Sequence, residues 1–261
     1  MDGKIEKRRK AILDLLSQVP ISSTAQLASA MEVSTETMRK DLDALADEGM
    51  IIKIHGGVAL ANSTPGDAPF DLRTQWNIDE KRKIALAAST LIAENDSIII
   101  ESSTTGLELA KVLLDQSELL KTLVIITNSL SIAALFDGGA KCQKLFFLGG
   151  WINPAEHATR GYHTQTAMKD FCVNKSFISG AALGNDMVLT SYLDEDMIFQ
   201  RQAIQCAKET VLMIHSAKFY KAAMFSVCPI NQIAYVVSDQ NCDADIFSAL
   251  RKSGTRVILS E

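Results

Sequence analysis

Two short stretches of this sequence carry side chains suited to binding anions. In the first, Ser34, Thr35, Thr37, Arg39 and Lys40 lie close together; short hydroxyls can approach phosphate or base edges, and an arginine can grip guanine O6 and N7 with two donors. In the second, an apolar run ending at Glu101 passes through Ser102, Ser103, Thr104, Thr105 and Gly106 into a helical pattern. A strand-to-helix turn of that composition aims backbone N–H groups and hydroxyls at one point, which is how many proteins hold a phosphate. Spacing alone leaves a second reading open for each. The first stretch also reads as a solvated helix face on which Glu36 and Lys40 form an i,i+4 pair, and the second as hydroxyls that only cap their helix.

The elements that must position the first stretch follow from its flanks. A helix is expected over 5–18, with Ile12, Leu15, Leu16 and Val19 on one face and Pro20 as its stop. Ser23 and Gln26 have the form of a capping box, opening a short helix that carries Leu27 and Ala28 inward and ends near Met31. After a tight turn through Glu32 and Val33, Ser34 caps a third helix reaching about Glu48, with Gly49 as its C-terminal stop. Met38, Leu42 and Leu45 share one side of that helix, while Glu36, Arg39, Lys40 and Asp43 project from the other. A strand over 50–55, a turn at Gly56 and Gly57, and a second strand over 58–60 complete a winged helix-turn-helix. In such a unit the second helix of the motif enters the major groove. Lys53 and His55 on the wing would then reach neighbouring phosphates or the minor groove.

Residues 61–69 are dominated by turn formers, and a linker is expected over 61–72 between a domain at 1–60 and a domain at 73–261. Beyond it, apolar runs at 97–100, 123–126, 145–148, 176–179, 211–214, 233–237 and 257–259 read as buried strands. Helical patterns at 107–114, 130–136, 197–207 and 244–252 alternate with them. This alternation predicts an α/β domain with a mainly parallel sheet and helices on both faces. The loops at 101–106, 127–129 (Thr127, Asn128, Ser129) and 149–150 (Gly149, Gly150) each follow such a strand, so all three can converge on one crevice at the carboxyl ends.

Composition sets limits on both readings. With 261 residues, 47% hydrophobic and 22% charged, the chain has enough apolar material for a folded core, and two units are expected. No stretch reaches the roughly 20 apolar residues of a membrane span, and the charged start has no secretory core, so a cytoplasmic protein is expected. Five scattered cysteines and four scattered histidines form no metal-ligand spacing, and neither a metal nor a cofactor is expected. The net charge of −5, with eight Lys/Arg against nine Asp/Glu in residues 1–60, requires any basic footprint for DNA to be local. Its candidates are Lys7, Arg8, Arg9 and Lys10, the pair Arg39 and Lys40, and Lys53 with His55.

Arg8, Ile12 and Leu16, followed by S-T-E-T-M-R-K-D-L at 34–42 and E-G-M-I-I-K-I-H-G-G-V-A after it, resemble the DNA-binding signature of the DeoR family of bacterial regulators. That resemblance implies that Thr37, Arg39 and Lys40 meet double-stranded operator DNA, and that Asp41 holds the motif together. The sensor region is similar to the family's sensor domain in R-T-Q-W-N-I-D-E-K at 73–81, E-S-S-T-T-G, T-N-S, L-G-G, Gly161 and S-A-K-F at 216–219. The likeness implies a fold resembling ribose-5-phosphate isomerase and a phosphorylated sugar as effector. Ser102, Ser103, Thr104, Thr105, Asn128, Gly150 and Lys218 would line its pocket, with Lys218 as the phosphate cation. It further implies a repressor of a carbohydrate-utilisation operon, acting as a homo-oligomer on paired half-sites. Glu101, Ser103 and His215 depart from the family pattern, which usually has Asp, Gly and Asp there.

Two other classes remain open on the residues. An isomerase-like enzyme would need a positioned acid and base, for which Glu101, Asp194, Glu195 and Asp196 are available. A winged helix that binds protein instead of DNA is compatible with the near-neutral N-terminal charge.

Overall fold

The computed structural model of the chain describes residues 2–18, 21–54, 57–60, 70–136 and 141–261. Val19, Pro20, His55, Gly56 and residues 61–69 of the expected linker lie outside them. The chain divides into two compact units, Met1–Ile78 and Asp79–Glu261, a break placed later than the expected 61–72.

The first unit contains α1 (Asp2–Gln18), β1 (Ile21–Ser23), α2 (Thr24–Ala30), α3 (Thr35–Asp47), β2 (Ile51–Ile54), β3 (Gly57–Leu60) and α4 (Phe70–Thr74). Its caps are those the sequence implies. The Ser23 hydroxyl accepts from Gln26 N while Gln26 returns its side chain to Ser23 N, and the Ser34 hydroxyl accepts from Thr37 N. Glu32, at φ 52°, makes the sharp turn between α2 and α3, and Gly49, at φ 72°, ends α3. Ile12, Leu16, Leu27, Met38, Leu42, Leu45, Ile51 and Val58 form one core. The expected hairpin is the larger part of a three-stranded antiparallel sheet in the order β1-β3-β2, because Ile21–Ser23 adds a strand ahead of the capping box. Three residues are too few for a period-2 pattern to reveal.

The second unit opens with α5 (Ile78–Ser89), β4 (Ser97–Ile100), α6 (Thr104–Asp115), α7 (Ser117–Leu120), β5 (Val124–Thr127), α8 (Leu130–Leu135) and β6 (Lys144–Phe147). A hairpin of β7 (Trp151–Asn153) and β8 (Ala158–Arg160) follows, then α9 (Tyr162–Met168), β9 (Val173–Ser179), β10 (Ala182–Leu183) and β11 (Val188–Ser191). The chain finishes with α10 (Asp194–Cys206), β12 (Ala207–Met213), β13 (Phe225–Pro229), β14 (Tyr235–Ser238), α11 (Ala244–Lys252) and β15 (Arg256–Leu259).

Seven strands form one sheet in the order β15-β14-β12-β9-β4-β5-β6, and every neighbouring pair is parallel. All seven are the apolar runs read from the sequence. Ile99, Ile126, Ile178, Leu212 and Val236 join Phe199 and Ala203 of α10 and Ile246 and Leu250 of α11 in one core. Their alternates Ile98, Ile125, Phe177, Val211 and Val237 are equally buried, so both faces of the sheet are covered. The two edges depart from the expectation of burial. Phe146 and Phe147 of β6 and Leu259 of β15 are exposed, since an edge strand has a neighbour on one side only.

The order of the strands positions the site. From β4 the chain adds β5 and β6 on one side, then crosses back to place β9, β12, β14 and β15 on the other. The reversal between β4 and β9 is where an open parallel sheet parts its loops and leaves a crevice at the carboxyl ends.

A Cβ at Gly57 would overlap the Ser22 carbonyl oxygen on the neighbouring strand. Gly57→Ala is therefore expected to cost about 1–3 kcal/mol by forcing β1 and β3 apart. Calorimetry of the full chain should show this as a lowered transition of the N-terminal unit.

Candidate DNA interface and effector pocket

In the first unit, α3 turns Met38, Leu42 and Leu45 inward and leaves Ser34, Thr35, Arg39 and Lys40 exposed and Thr37 half-buried at its N-terminal end. The Ser34 and Thr37 hydroxyls lie 2.9 Å apart and complete the cap together. Lys40 stands 3.9 Å from Glu36 in an exposed i,i+4 pair, and Lys53 of β2 lies 2.7 Å from Asp43. Both cations sit in open solvent, where such pairs are weak and exchange readily for a phosphate. Among the described residues Arg39 has no ion-pair partner. His55, the remaining wing residue, falls outside the described residues.

The basic cluster at 7–10 is corrected in part. Arg8 Nε lies 2.5 Å from Asp41 Oδ2, with side chains 17% and 4% exposed, and Arg9 approaches both Asp41 at 3.5 Å and Glu48 at 3.4 Å. Those two arginines fasten α1 to α3, leaving Lys7 and Lys10 as the exposed members of the run. A signal was present in the sequence: Arg8 stands four residues before Ile12 and eight before Leu16, on the stripe of α1 that faces the core.

In the second unit the loops after β4, β5 and β6 do meet. Ser102 N donates to Asn128 Oδ1 at 3.0 Å, Asn128 Nδ2 donates to the Thr159 carbonyl at 3.1 Å, and Thr164 donates to the Gly149 carbonyl at 2.9 Å. Gly150 has no room for a Cβ between Thr164 and the Arg160 carbonyl. Ser103 caps α6 by accepting from Gly106 N at 2.9 Å, and Ser103, Thr104 and Thr105 are buried. Lys218 starts from the end of β12, two strands from β4, but its Nζ donates to the Gly180 carbonyl at 2.7 Å, beside β9. It therefore ends one residue from Ser179, whose N–H donates to Glu101 at 2.6 Å.

Glu101 occupies the reversal point itself. Its other oxygen accepts from Gln200 Nε2 of α10 at 2.7 Å, and Gln200 also donates to the Ser179 carbonyl at 2.8 Å. Burial, and then the charge of Asp196, push the Glu101 carboxyl up to about 8, against the hydrogen bonds of Ser179 and Gln200 and the charge of Arg160. Glu101 is accordingly mostly neutral at physiological pH.

The sequence reading passed over Arg160. Its side chain is 4% exposed and faces three carboxylates: Asp196 in direct hydrogen bond, Glu195 at 3.6 Å and Glu156 at 3.9 Å. Arg160, Glu195 and Asp196, with Asn128, Thr164 and Gln165, line a cavity of about 10 Å3, room for a single water. The local pattern offers only Glu156, four residues before Arg160; Glu195 and Asp196 come from α10, far along the chain. His215 was expected to remove an acidic group from this end of the sheet. The structure supplies one from the next strand: Asp239 lies 3.8 Å from His215 Nε2 and accepts from Ser216 N at 2.6 Å and Ser216 Oγ at 2.7 Å. Burial raises the Asp239 carboxyl, but the bonds from Ser216 and Asn241 outweigh it and hold it below its ordinary value.

A winged helix-turn-helix and a parallel α/β unit in one chain define a class, that of DNA-binding transcription regulators. Residues 8–64 match the DeoR-like helix-turn-helix domain and residues 76–240 the DeoR C terminal sensor domain, and the chain belongs to the DeoR family of DNA-binding transcription regulators. It is 27% identical to an HTH-type transcriptional regulator of Haemophilus influenzae over 90% of this chain and 89% of that one. It is 25% identical to the transcriptional repressor AccR of Agrobacterium fabrum, over 97% and 92% of the two chains. With the HTH-type transcriptional repressor GlcR of Bacillus subtilis it shares 25% identity over 98% and 96%. Among solved structures, ribose 5-phosphate isomerase A of Methanocaldococcus jannaschii superposes on 55% of this chain and 55% of its own at a TM-score of 0.41 and 16% identity. Among the described residues no helix is long and apolar enough to cross a membrane, and no cluster of His, Cys, Asp and Glu could hold a metal ion.

Two outcomes follow for stability. Asp41→Ala leaves Arg8 mostly buried without its partner and should cost about 3 kcal/mol, read as a lowered denaturation midpoint. For Glu101, the folded carboxyl lies above the ordinary 4.5, at about 8, so the folded state holds an extra proton between those values. Stability contributed by that proton is present at low pH and lost as pH rises through the window. Glu101→Gln, neutral throughout, should flatten the fall in urea midpoint between pH 5 and pH 9.

Proposed function

We propose that this protein represses a carbohydrate-utilisation operon by binding paired operator half-sites as a symmetric oligomer, and that a phosphorylated sugar binding at the strand ends of the second unit controls it. The observation that carries the reading is the two-faced α3, whose inward side chains build the core of a winged helix while Thr35, Arg39 and Lys40 stand exposed at the end that enters the major groove. Arg39 supplies base recognition; Ser34, Thr35, Thr37, Lys40, Lys53 and His55 supply phosphate and wing contacts. Repression is the activity named for AccR and GlcR, and the carbohydrate assignment comes from the family resemblance.

For the effector, the phosphate lies at the N-terminus of α6, against Ser102, Ser103, Thr104 and Thr105, with Asn128 and Gly150 shaping the floor. Lys218 supplies the cation from across β9. Asn128 accepts from Ser102 N beside α6 and also lines the cavity of Arg160 and the start of α10, so a sugar phosphate held at α6 reaches those residues through it. Binding of that kind changes the unit's shape without turnover, which is what a regulator requires.

Fluorescence anisotropy of the protein on DNA upstream of its own gene tests both halves. Binding should weaken steeply with salt and be released by a sugar monophosphate. Arg39→Ala should cost about 1–3 kcal/mol of specific affinity, and Lys40→Ala should weaken all sequences alike and lower the salt slope by about one. Salt-independent or absent binding would overturn the reading.

A further inference from the structure

At the amino end of the main sheet, away from the strand-end loops, two of the five cysteines come together. β9 and β12 run side by side from their first residues, with Val173 opposite Ala207, and each of those residues directly follows a cysteine, Cys172 and Cys206. Neighbouring strands lie about 4.8 Å apart, and a disulfide joins Cα atoms about 4.4–6.8 Å apart, so the backbone sets these two residues within reach of a bridge.

The side chains agree with the backbone. Cys206 Sγ donates to the Met168 carbonyl at 3.2 Å, and the same carbonyl accepts from Phe171 N at 3.2 Å, so the Cys206 thiol lies against the turn that delivers Cys172. Phe171 packs edge-on against Phe146, with ring centroids 5.2 Å apart, which holds that turn in place. Burial, and then the nearby Cys172, raise the Cys206 thiol above its ordinary value. Cys172 is exposed and Cys206 half-buried, so neither is a core filler as Cys228 is. The other three cysteines lie elsewhere: Cys142 precedes β6 at the sheet edge, Cys228 sits in β13, and Cys242 follows β14 at its carboxyl end.

We propose that Cys172 and Cys206 form a dithiol site that a hydroperoxide converts to a disulfide, pinning the last residue of α10 to the entry of β9. The exposed Cys172 thiolate attacks one peroxide oxygen; an S–O bond forms, the O–O bond breaks, and the departing oxygen takes a proton and leaves as water or an alcohol. The Cys206 thiolate then attacks the Cys172 sulfur; the S–S bond forms, the S–O bond breaks, and the hydroxyl leaves as water. The two sulfurs give two electrons to the peroxide, and the two thiol protons end in its products. With its thiol raised, Cys206 is ionised only in small part, and proximity offsets this because the second step is intramolecular. α10 is then held at three points. Asp196 in its first turn pairs with Arg160, Gln200 in its middle bonds to Glu101, and its last residue is bridged to Cys172. The helix that faces Arg160 and Glu101 thereby becomes sensitive to oxidant from its far end.

The test is intact-mass measurement and disulfide mapping of the reduced full-length protein during stepwise addition of hydrogen peroxide. The mass should fall by two hydrogens, with a peptide containing Cys172 joined to one containing Cys206, and dithiothreitol should reverse the change. Closing this loop should raise the thermal transition of the second unit by on the order of 5 °C, and reduction should return it. Cys172→Ser changes an exposed side chain and leaves the fold intact; it should abolish both the bridge and the rise. Conversion of Cys172 to a sulfinic acid with Cys206 still free, a bridge to any other cysteine or to a second chain, or an unchanged mass overturns the proposal. A Cys172–Cys206 bridge that leaves the transition where it was overturns the pinning of α10.

Discussion

The carboxyl of Glu101 fastens three elements that the chain brings together from far apart: the end of β4, the first residue past the buried part of β9, and the middle of α10. It does so at the one point where the strand order reverses. A parallel sheet covered on both faces leaves its strand ends as the place where backbone is free to bind something else. A charge at that point is expensive, and burial pushes the carboxyl toward its protonated form against the hydrogen bonds from Ser179 and Gln200. Everything that could meet an effector is positioned around this neutral knot. Ser102 follows it directly, Gly180 and Lys218 approach through Ser179, and Asp196 and Arg160 sit across Gln200.

The N-terminal unit solves a related problem with the opposite chemistry. Its buried acid, Asp41, is paired with Arg8 and Arg9. An ion pair in that setting contributes orientation more than net stability, since desolvation offsets much of the attraction. What it fixes is the angle at which α1 crosses the recognition helix, and with it the presentation of Arg39 and Lys40.

Much of this was legible in the sequence. The seven strands of the main sheet stand out as apolar runs because strands buried on both faces need no alternation, and the caps at Ser23 and Ser34 follow from local hydrogen bonding that a short window contains. What the sequence hid are pairings across distance. Arg8 reads as a DNA cation until Asp41 is placed beside it, and Arg160 reads as a surface residue until α10 folds over it. β1 is visible only through its partner β3, and the exposure of Phe146 and Phe147 depends on β6 being at an edge, which periodicity does not encode. Lys218 shows the same limit from the other side: its position at the end of β12 follows from the strand pattern, while its reach to Gly180 depends on β9 lying between.

The arginines committed to Asp41 also shape how a protein of this kind finds its place on a chromosome. Cations turned inward release no counterions from DNA, so each winged unit holds random sequence weakly. In the proposed oligomer, occupancy of an operator would depend on two winged units engaging together, the second binding step being effectively intramolecular. On that proposal an effector would have only to spoil the second step, with no need to compete with the DNA itself.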